Sequence, residues 1–199
     1  HKNWDEAMKA IDYLKEKLDM KRTLNQRTIR IEECCVLYRT GKMERDEYQR
    51  FCENILECQE EQWKNKIFWS QILTEGKIEL LVRLAVIYEA KGKLEDAIFV
   101  LEHIMRQLEQ SAIKLEDRFR SSMLVLGNLS FYYGKAKQYE KCAMVCDKGI
   151  QISLQSGRLQ KIPAFLINKA EAMQDMEKKQ KYTCRYYFRQ AYYISDVIK

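Results

Sequence analysis

The stretch covering residues 126–152, LGNLSFYYGKAKQYEKCAMVCDKGIQI, decides how the rest of the chain is read. Its apolar residues recur at helical spacing in two runs: Leu126, Leu129, Tyr132 and Tyr133, then Tyr139, Cys142, Val145, Cys146, Gly149 and Ile152. A polar break at 134–138 separates them, so the pattern predicts a helical hairpin. Small residues are expected where helices touch. Ser130 on the first helix faces the region of Cys142 and Gly149 on the second, where a large side chain would hold the backbones apart. One hairpin cannot bury both faces of its own helices, so it needs copies of itself on either side.

The sequence supplies them. Residues 4–18, WDEAMKAIDYLKEKL, form an amphipathic helix with Trp4, Ala7, Ile11, Leu14 and Leu18 on one face. Trp4, Ala7, Ile11 and Leu14 match Tyr139, Cys142, Cys146 and Gly149, which makes this a half repeat, the second helix of a hairpin. Repeats follow over about 25–58, 76–110, 115–156 and 159–198. In the first, Gly41 ends a helix over 25–40 and Tyr48 stands where the other copies carry Ala97, Cys142 and Cys184, a departure that should re-angle that hairpin. In the second, Gly92 separates helices over 76–91 and 94–110. The third has its first helix extended back to about Leu115. The fourth accommodates Pro163 in a first helical turn and closes with the apolar series Cys184, Phe188, Ala191, Ile194. Between the first two, residues 59–74 with Trp63, Phe68 and Trp69 read as a long connection with a short helix whose aromatics cover the array.

Composition agrees with an all-α protein. Seven Gly and one Pro in 199 residues argue against a turn-rich β fold, and 32% charged with 46% apolar residues suits packed amphipathic helices. The formal charge of +6 is spread among interleaved acidic residues, the pattern of a solvated helical surface rather than of a nucleic-acid-binding block. No apolar run reaches membrane-spanning length, and the first residues, HKNWDEAMKA, lack the apolar core of a signal peptide. Starting without Met and in mid-repeat, the chain reads as a piece of a longer one. Seven cysteines without a CxxC, and only His1 and His103 as imidazoles, predict free thiols in a reducing cytoplasm and no metal site. No Gly-rich phosphate loop, HExxH, Cys–His pair or carboxylate dyad is present, so the expectation is no enzyme and no cofactor.

Tyr38, Tyr88, Tyr133 and Met173 hold one place in successive copies, 50, 45 and 40 residues apart. The tetratricopeptide unit is shorter, about 34 residues, yet the small and large residues fall where that repeat puts them. The expected fold is therefore a right-handed α-α superhelix of tetratricopeptide-like hairpins, its first helices lining the inner surface. Superimposing the copies places Glu33, Arg83, Asn128 and Asn168 in one column, with Val36, Val86, Phe131 and Glu171 one turn further on. Asn is a middling-to-poor helix former, and its carboxamide matches the N–H and C=O of an extended peptide. Val86 and Phe131 can line apolar pockets, and Arg83 and Lys135 can hold a carboxylate. The alternative is that both Asn face water or bond a neighbouring helix. Lys169, in a column otherwise held by Cys34, Leu84 and Leu129, departs from the apolar pattern and leaves the register of the fourth copy open.

The stretches IELLVRLAVIYEAKGKLEDAIFVLEHIMRQLE, RFRSSMLVLGNLSFYYGKAKQYEKCAMVCDKGIQISLQSGRL, IPAFLINKAEAMQ and FRQAYYISD resemble the tetratricopeptide sensor domain of Firmicute regulators of the RRNPP class, which carry an Xre-type helix-turn-helix at the N-terminus. The resemblance implies a cytoplasmic transcription regulator whose groove accepts a short signalling peptide, with Asn128 and Asn168 holding the ligand backbone. It also implies a homodimer, with DNA contacted only through the N-terminal domain that this stretch does not include. A generic scaffold that docks the tail or helix of a partner protein is the alternative.

Overall fold

A computed structural model of the chain describes residues 4–56, 66–69, 73–176 and 181–198. Among these the regular elements are all helical, and the chain divides into two compact units, His1–Glu60 and Glu61–Lys199.

The first unit contains α1 (Trp4–Lys17), α2 (Thr23–Arg39) and α3 (Arg45–Leu56). Ile11 of α1 is buried against Ile29 and Val36 of α2, with Trp4, Ala7, Met8 and Met20 packed around them. Leu14 and Leu18, expected on the same face, are exposed. One turn beyond Ile11 the seam becomes polar, because the Lys15 amine reaches Glu33 of α2 at 2.8 Å, and Leu14 is left on the outer side. Tyr48 of α3 is buried and stacks on Tyr38 of α2 with ring centroids 4.5 Å apart. The ring occupies the place of a small residue, and α2 and α3 pack less closely than the paired helices of the second unit.

The second unit runs α4 (Lys66–Trp69), α5 (Glu75–Ala90), α6 (Leu94–Gln110), α7 (Phe119–Lys135), α8 (Tyr139–Gln155), α9 (Ile162–Met176) and α10 (Lys181–Val197). Three hairpins, α5–α6, α7–α8 and α9–α10, pack in series, and the first helices also touch, α5 on α7 and α7 on α9. Gly92 ends α5 at φ +78°, and the Lys93 N–H then reaches back to the Tyr88 carbonyl at 2.9 Å. The left-handed residue that satisfies the last carbonyls of a helix is usually glycine. After α7 the same turn is made by Lys137 at φ +58°, with Gln138 N–H bonding the Tyr133 carbonyl at 2.9 Å, while Gly134 stays inside the helix. The turn that sequence places at 134–138 is thus shifted toward its C-terminal half.

Two helix starts differ from expectation. Residues 115–118 are not part of α7; the Leu115 carbonyl accepts the Ser122 hydroxyl at 3.1 Å and Arg118 reaches the Leu73 carbonyl at 3.3 Å, which ties the connection to the start of α5. Residues Leu159–Lys161 form a 3-10 turn before α9, and Pro163 sits in the first turn of α9. Trp69 of α4 lies against His103 of α6, centroids 4.9 Å apart, whereas Trp63 falls outside the described residues. In α10, Cys184 and Ala191 are buried, but Phe188 is among the exposed aromatics.

The helix crossings confirm the role of small residues and correct one partner. Ser130 is buried against α8, its carbonyl accepting the Cys142 thiol at 3.1 Å. Gly149 faces forward instead: a Cβ built there would stand 2.5 Å from the ring of Phe165 on α9. Gly149→Ala should cost a net ~1–2 kcal/mol, the overpacking outweighing the gain in helix propensity. Its melting temperature should fall by about 3–6 °C. Adding Phe165→Leu should recover part of the loss, and calorimetric melts of the two variants check both statements.

Candidate functional site

Burial along α7 leaves one way in. Residues Ser121, Ser122, Met123, Val125, Leu126, Leu129, Ser130, Tyr132 and Tyr133 are all buried. What remains accessible beyond its first residue, at 120, 124, 127, 128, 131, 134 and 135, recurs at helical spacing and forms a single stripe: Arg120, Leu124, Gly127, Asn128, Phe131, Gly134, Lys135. The neighbouring first helices show the same pattern. On α5 the accessible positions include Glu79, Arg83 and Val86; on α9 they include Ala164, Ile167, Asn168 and Glu171. Because α5 packs on α7 and α7 on α9, the three stripes lie side by side in the second unit.

Ion pairs tie the first two stripes together. Arg120 of α7 meets Glu79 of α5 at 2.7 Å, and Arg83 approaches the same carboxylate at 4.0 Å. At the other end Lys135 pairs with Glu89 of α5 and lies over the Phe131 ring, 5.4 Å from its centroid. Arg83 and Lys135, read from sequence as cations able to hold a ligand carboxylate, are therefore already matched by protein carboxylates. Phe131 is 52% exposed and Ile167 39%, two large apolar side chains on adjoining stripes.

Both asparagines have helix partners. Asn128 donates from Nδ2 to the Leu124 carbonyl of its own helix at 2.8 Å. Asn168 donates from Nδ2 to Ser130 Oγ of α7 at 2.8 Å, and that hydroxyl donates to the Gly127 carbonyl at 2.9 Å. The bond from Asn168 crosses from one hairpin to the next. A carboxamide has two N–H donors and an acceptor oxygen, so each asparagine keeps further capacity on the accessible side.

Glu33 lies in the first unit, paired with Lys15, and Val36 is buried against α1, so the column drawn through the first copy does not describe an accessible stripe there. The reason is α1, which covers the side of α2 that in later copies stays open. Lys169 resolves differently. It occupies the place of Leu84 and Leu129, but its amine leaves the interior to meet Asp147 of α8 at 2.6 Å and lies 4.8 Å from the Tyr187 ring centroid. Burial pulls its pKa down, but bonds to Asp147 and Tyr187 outweigh that and hold it above the ordinary lysine value, so it remains charged. Its neighbour Ala170 is buried as Ala85 and Ser130 are, which fixes the register of α9.

Sequence reasoning passed over Gly127 and Ile167. The available signal was a glycine in mid-helix, one residue before Asn128 and at the spacing of the accessible stripe. Among the described residues no group of three or more His, Cys, Asp or Glu is arranged to hold a metal, and no helix is long and apolar enough to cross a membrane. The described cysteines, Cys34, Cys35, Cys52, Cys142, Cys146 and Cys184, are free thiols; Cys58 lies outside the described residues.

No protein-family model matches the chain. No curated protein matches it in sequence. Solved structures do. The chain is similar to Bacillus thuringiensis PlcR in complex with the peptide PapR7 and DNA, at 15% identity and TM-score 0.73, covering 98% of this chain and 65% of that one. It is similar to PlcR in its apo form at 17% identity and TM-score 0.77, covering 99% and 67%. A Podosopora anserina putative kinesin light chain with nearly identical TPR-like repeats matches at 14% identity and TM-score 0.61, covering 96% and 84%. The chain thus spans about two-thirds of the PlcR chain. At these identities the likeness is one of fold: an all-α array of tetratricopeptide-like hairpins, shared with the RRNPP-type regulator to which the sequence resemblance points.

The hydrogen bonds separate the two asparagines energetically. Asn168→Ala leaves Ser130 Oγ without its inter-hairpin donor and should cost a net ~1 kcal/mol. Asn128→Ala loses only a bond within its helix and gains propensity, so it should be neutral or stabilising by up to about 0.5 kcal/mol. Urea unfolding of the two single variants checks this.

Proposed function

We propose that this chain is the peptide-sensing part of an RRNPP-type transcription regulator, binding a short extended peptide across the stripes of α5, α7 and α9. The observation that carries the reading is the single accessible face of α7, lined by Asn128 and Phe131 and continued on both neighbouring first helices. The structural neighbour PlcR, solved with PapR7 and DNA, supports it. In this reading the second N–H and the oxygen of Asn128 and of Asn168 pair with the peptide backbone. Arg83, Val86, Phe131 and Glu171 contact side chains, and Lys135 steadies Phe131. Glu33 has no part in it.

Backbone pairing alone is too weak. At about 1 kcal/mol net per hydrogen bond, four bonds fall well short of the ~8 kcal/mol that micromolar affinity needs. Apolar burial at Val86 and Phe131 supplies the difference. Asn168 bonds α7 from α9, so a peptide that engages both asparagines acts on two hairpins at once and favours one relative setting of them. Two copies would pair, and a separate domain would carry the DNA contact. The kinesin light chain neighbour supports a second reading, a scaffold docking a segment of a partner protein on the same face.

A displayed library of random heptapeptides, panned on the purified chain, separates the readings. Recovered peptides, resynthesised and titrated calorimetrically, should bind with micromolar affinity, and Asn128→Ala should weaken them about five- to tenfold. Failure to recover any binder, or equal affinity of Asn128→Ala and parent, would remove this face as a peptide site.

A further inference from the structure

Gly127 sits in the interior of α7, where glycine is about 1 kcal/mol worse than alanine. Packing gives no reason for it, since a Cβ built at this position meets nothing within 4 Å. Gly149 shows the contrast, being required by the ring of Phe165. Gly127 lies at the middle of the accessible stripe, next to Asn128 and one turn before Phe131, and the corresponding place on α9 is the exposed Ile167. The bare backbone there leaves open space on the accessible stripe.

The charges on the same face are unbalanced in one direction. Arg83 and Arg120 share Glu79, and Lys135 is held by Glu89. Lys169 is turned away to Asp147. Glu171 is exposed and enters no ion pair among the described residues. Among the described residues the face therefore has a carboxylate to offer and no free cation opposite it.

We propose that the bare backbone at Gly127 receives an apolar side chain of the bound peptide, and that Glu171 takes a Lys or Arg of the same peptide. The inference rests on the peptide reading above and adds the chemistry of the ligand: an apolar residue and a cation.

The test uses the whole chain and the panned heptapeptides, synthesised with blocked ends so that a free amino terminus cannot stand in for the cation. Recovered sequences should share an apolar residue and a Lys or Arg. Gly127→Ala should melt about 2–4 °C higher than the parent, because the propensity gain meets no clash, yet bind the peptides about tenfold more weakly. Gly127→Leu, folded by circular dichroism, should lose binding. Glu171→Gln should lower affinity about fivefold for peptides with the cation and leave versions with norleucine in its place unchanged. Equal binding by parent, Gly127→Ala and Gly127→Leu would overturn the role of Gly127 while leaving the peptide reading intact, and an unaltered Glu171→Gln would overturn the cation site. A library that yields no binder removes both the peptide reading and this one.

Discussion

The second unit depends on how closely its helices approach at a few small residues. Ser130 is the clearest case: fully buried, it lets α8 come near enough for the Cys142 thiol to reach its carbonyl, while its hydroxyl receives Asn168 from α9. Three helices from two hairpins meet at this one small residue, and a leucine there would hold them apart. Ala85 and Ala170, at the matching places of α5 and α9, are equally buried. Close approach on these sides forces the bulky residues of α7 outward into its neighbours and leaves only the remaining side for recognition. The accessible stripe is thus a by-product of the packing rather than a separate feature.

Most of the fold was readable from spacing, because a helix buried on several sides must repeat its apolar residues at 3.6-residue intervals, and α5 to α8 do so with few interruptions. What spacing did not give were places where polar groups do the packing. Leu14 was assigned to the core because it continues an apolar face, but the Lys15–Glu33 bond closes the seam there instead. Lys169 looked like a break in the register because an amine at a core position is unexpected; a four-carbon stem can cover apolar surface and still deliver its charge to Asp147. Gly149 was paired with the wrong helix, since a small residue announces a close neighbour without saying which.

The site was legible to a smaller extent. Superposition put Asn128, Asn168, Val86 and Phe131 at accessible positions because equivalent positions of a repeat share an environment wherever the repeat has neighbours on both sides. It failed for Glu33 and Val36, where α1 lies over the face that later copies leave open, and sequence periodicity carries no information about what covers a helix from outside. Nor did it show that Arg83 and Lys135, read as cations able to hold a carboxylate, already pair with Glu79 and Glu89 on α5. Complementary charges one helix apart do not appear as a motif in the chain.

These internal pairs change what the face can recognise. A site with two unpaired cations would select a carboxylate, but Arg83 and Lys135 would have to give up existing partners to do so, and exposed ion pairs are worth at most about 1 kcal/mol each. A ligand carboxylate would gain little over the glutamates already present. Glu171, which enters no ion pair among the described residues, has no such competitor there. Asn168 adds a further condition. Its bond to Ser130 already links two hairpins, so a peptide that pairs with its remaining N–H and oxygen meets a side chain held in place from behind, and the ordering cost of that contact is met by the fold before any ligand arrives.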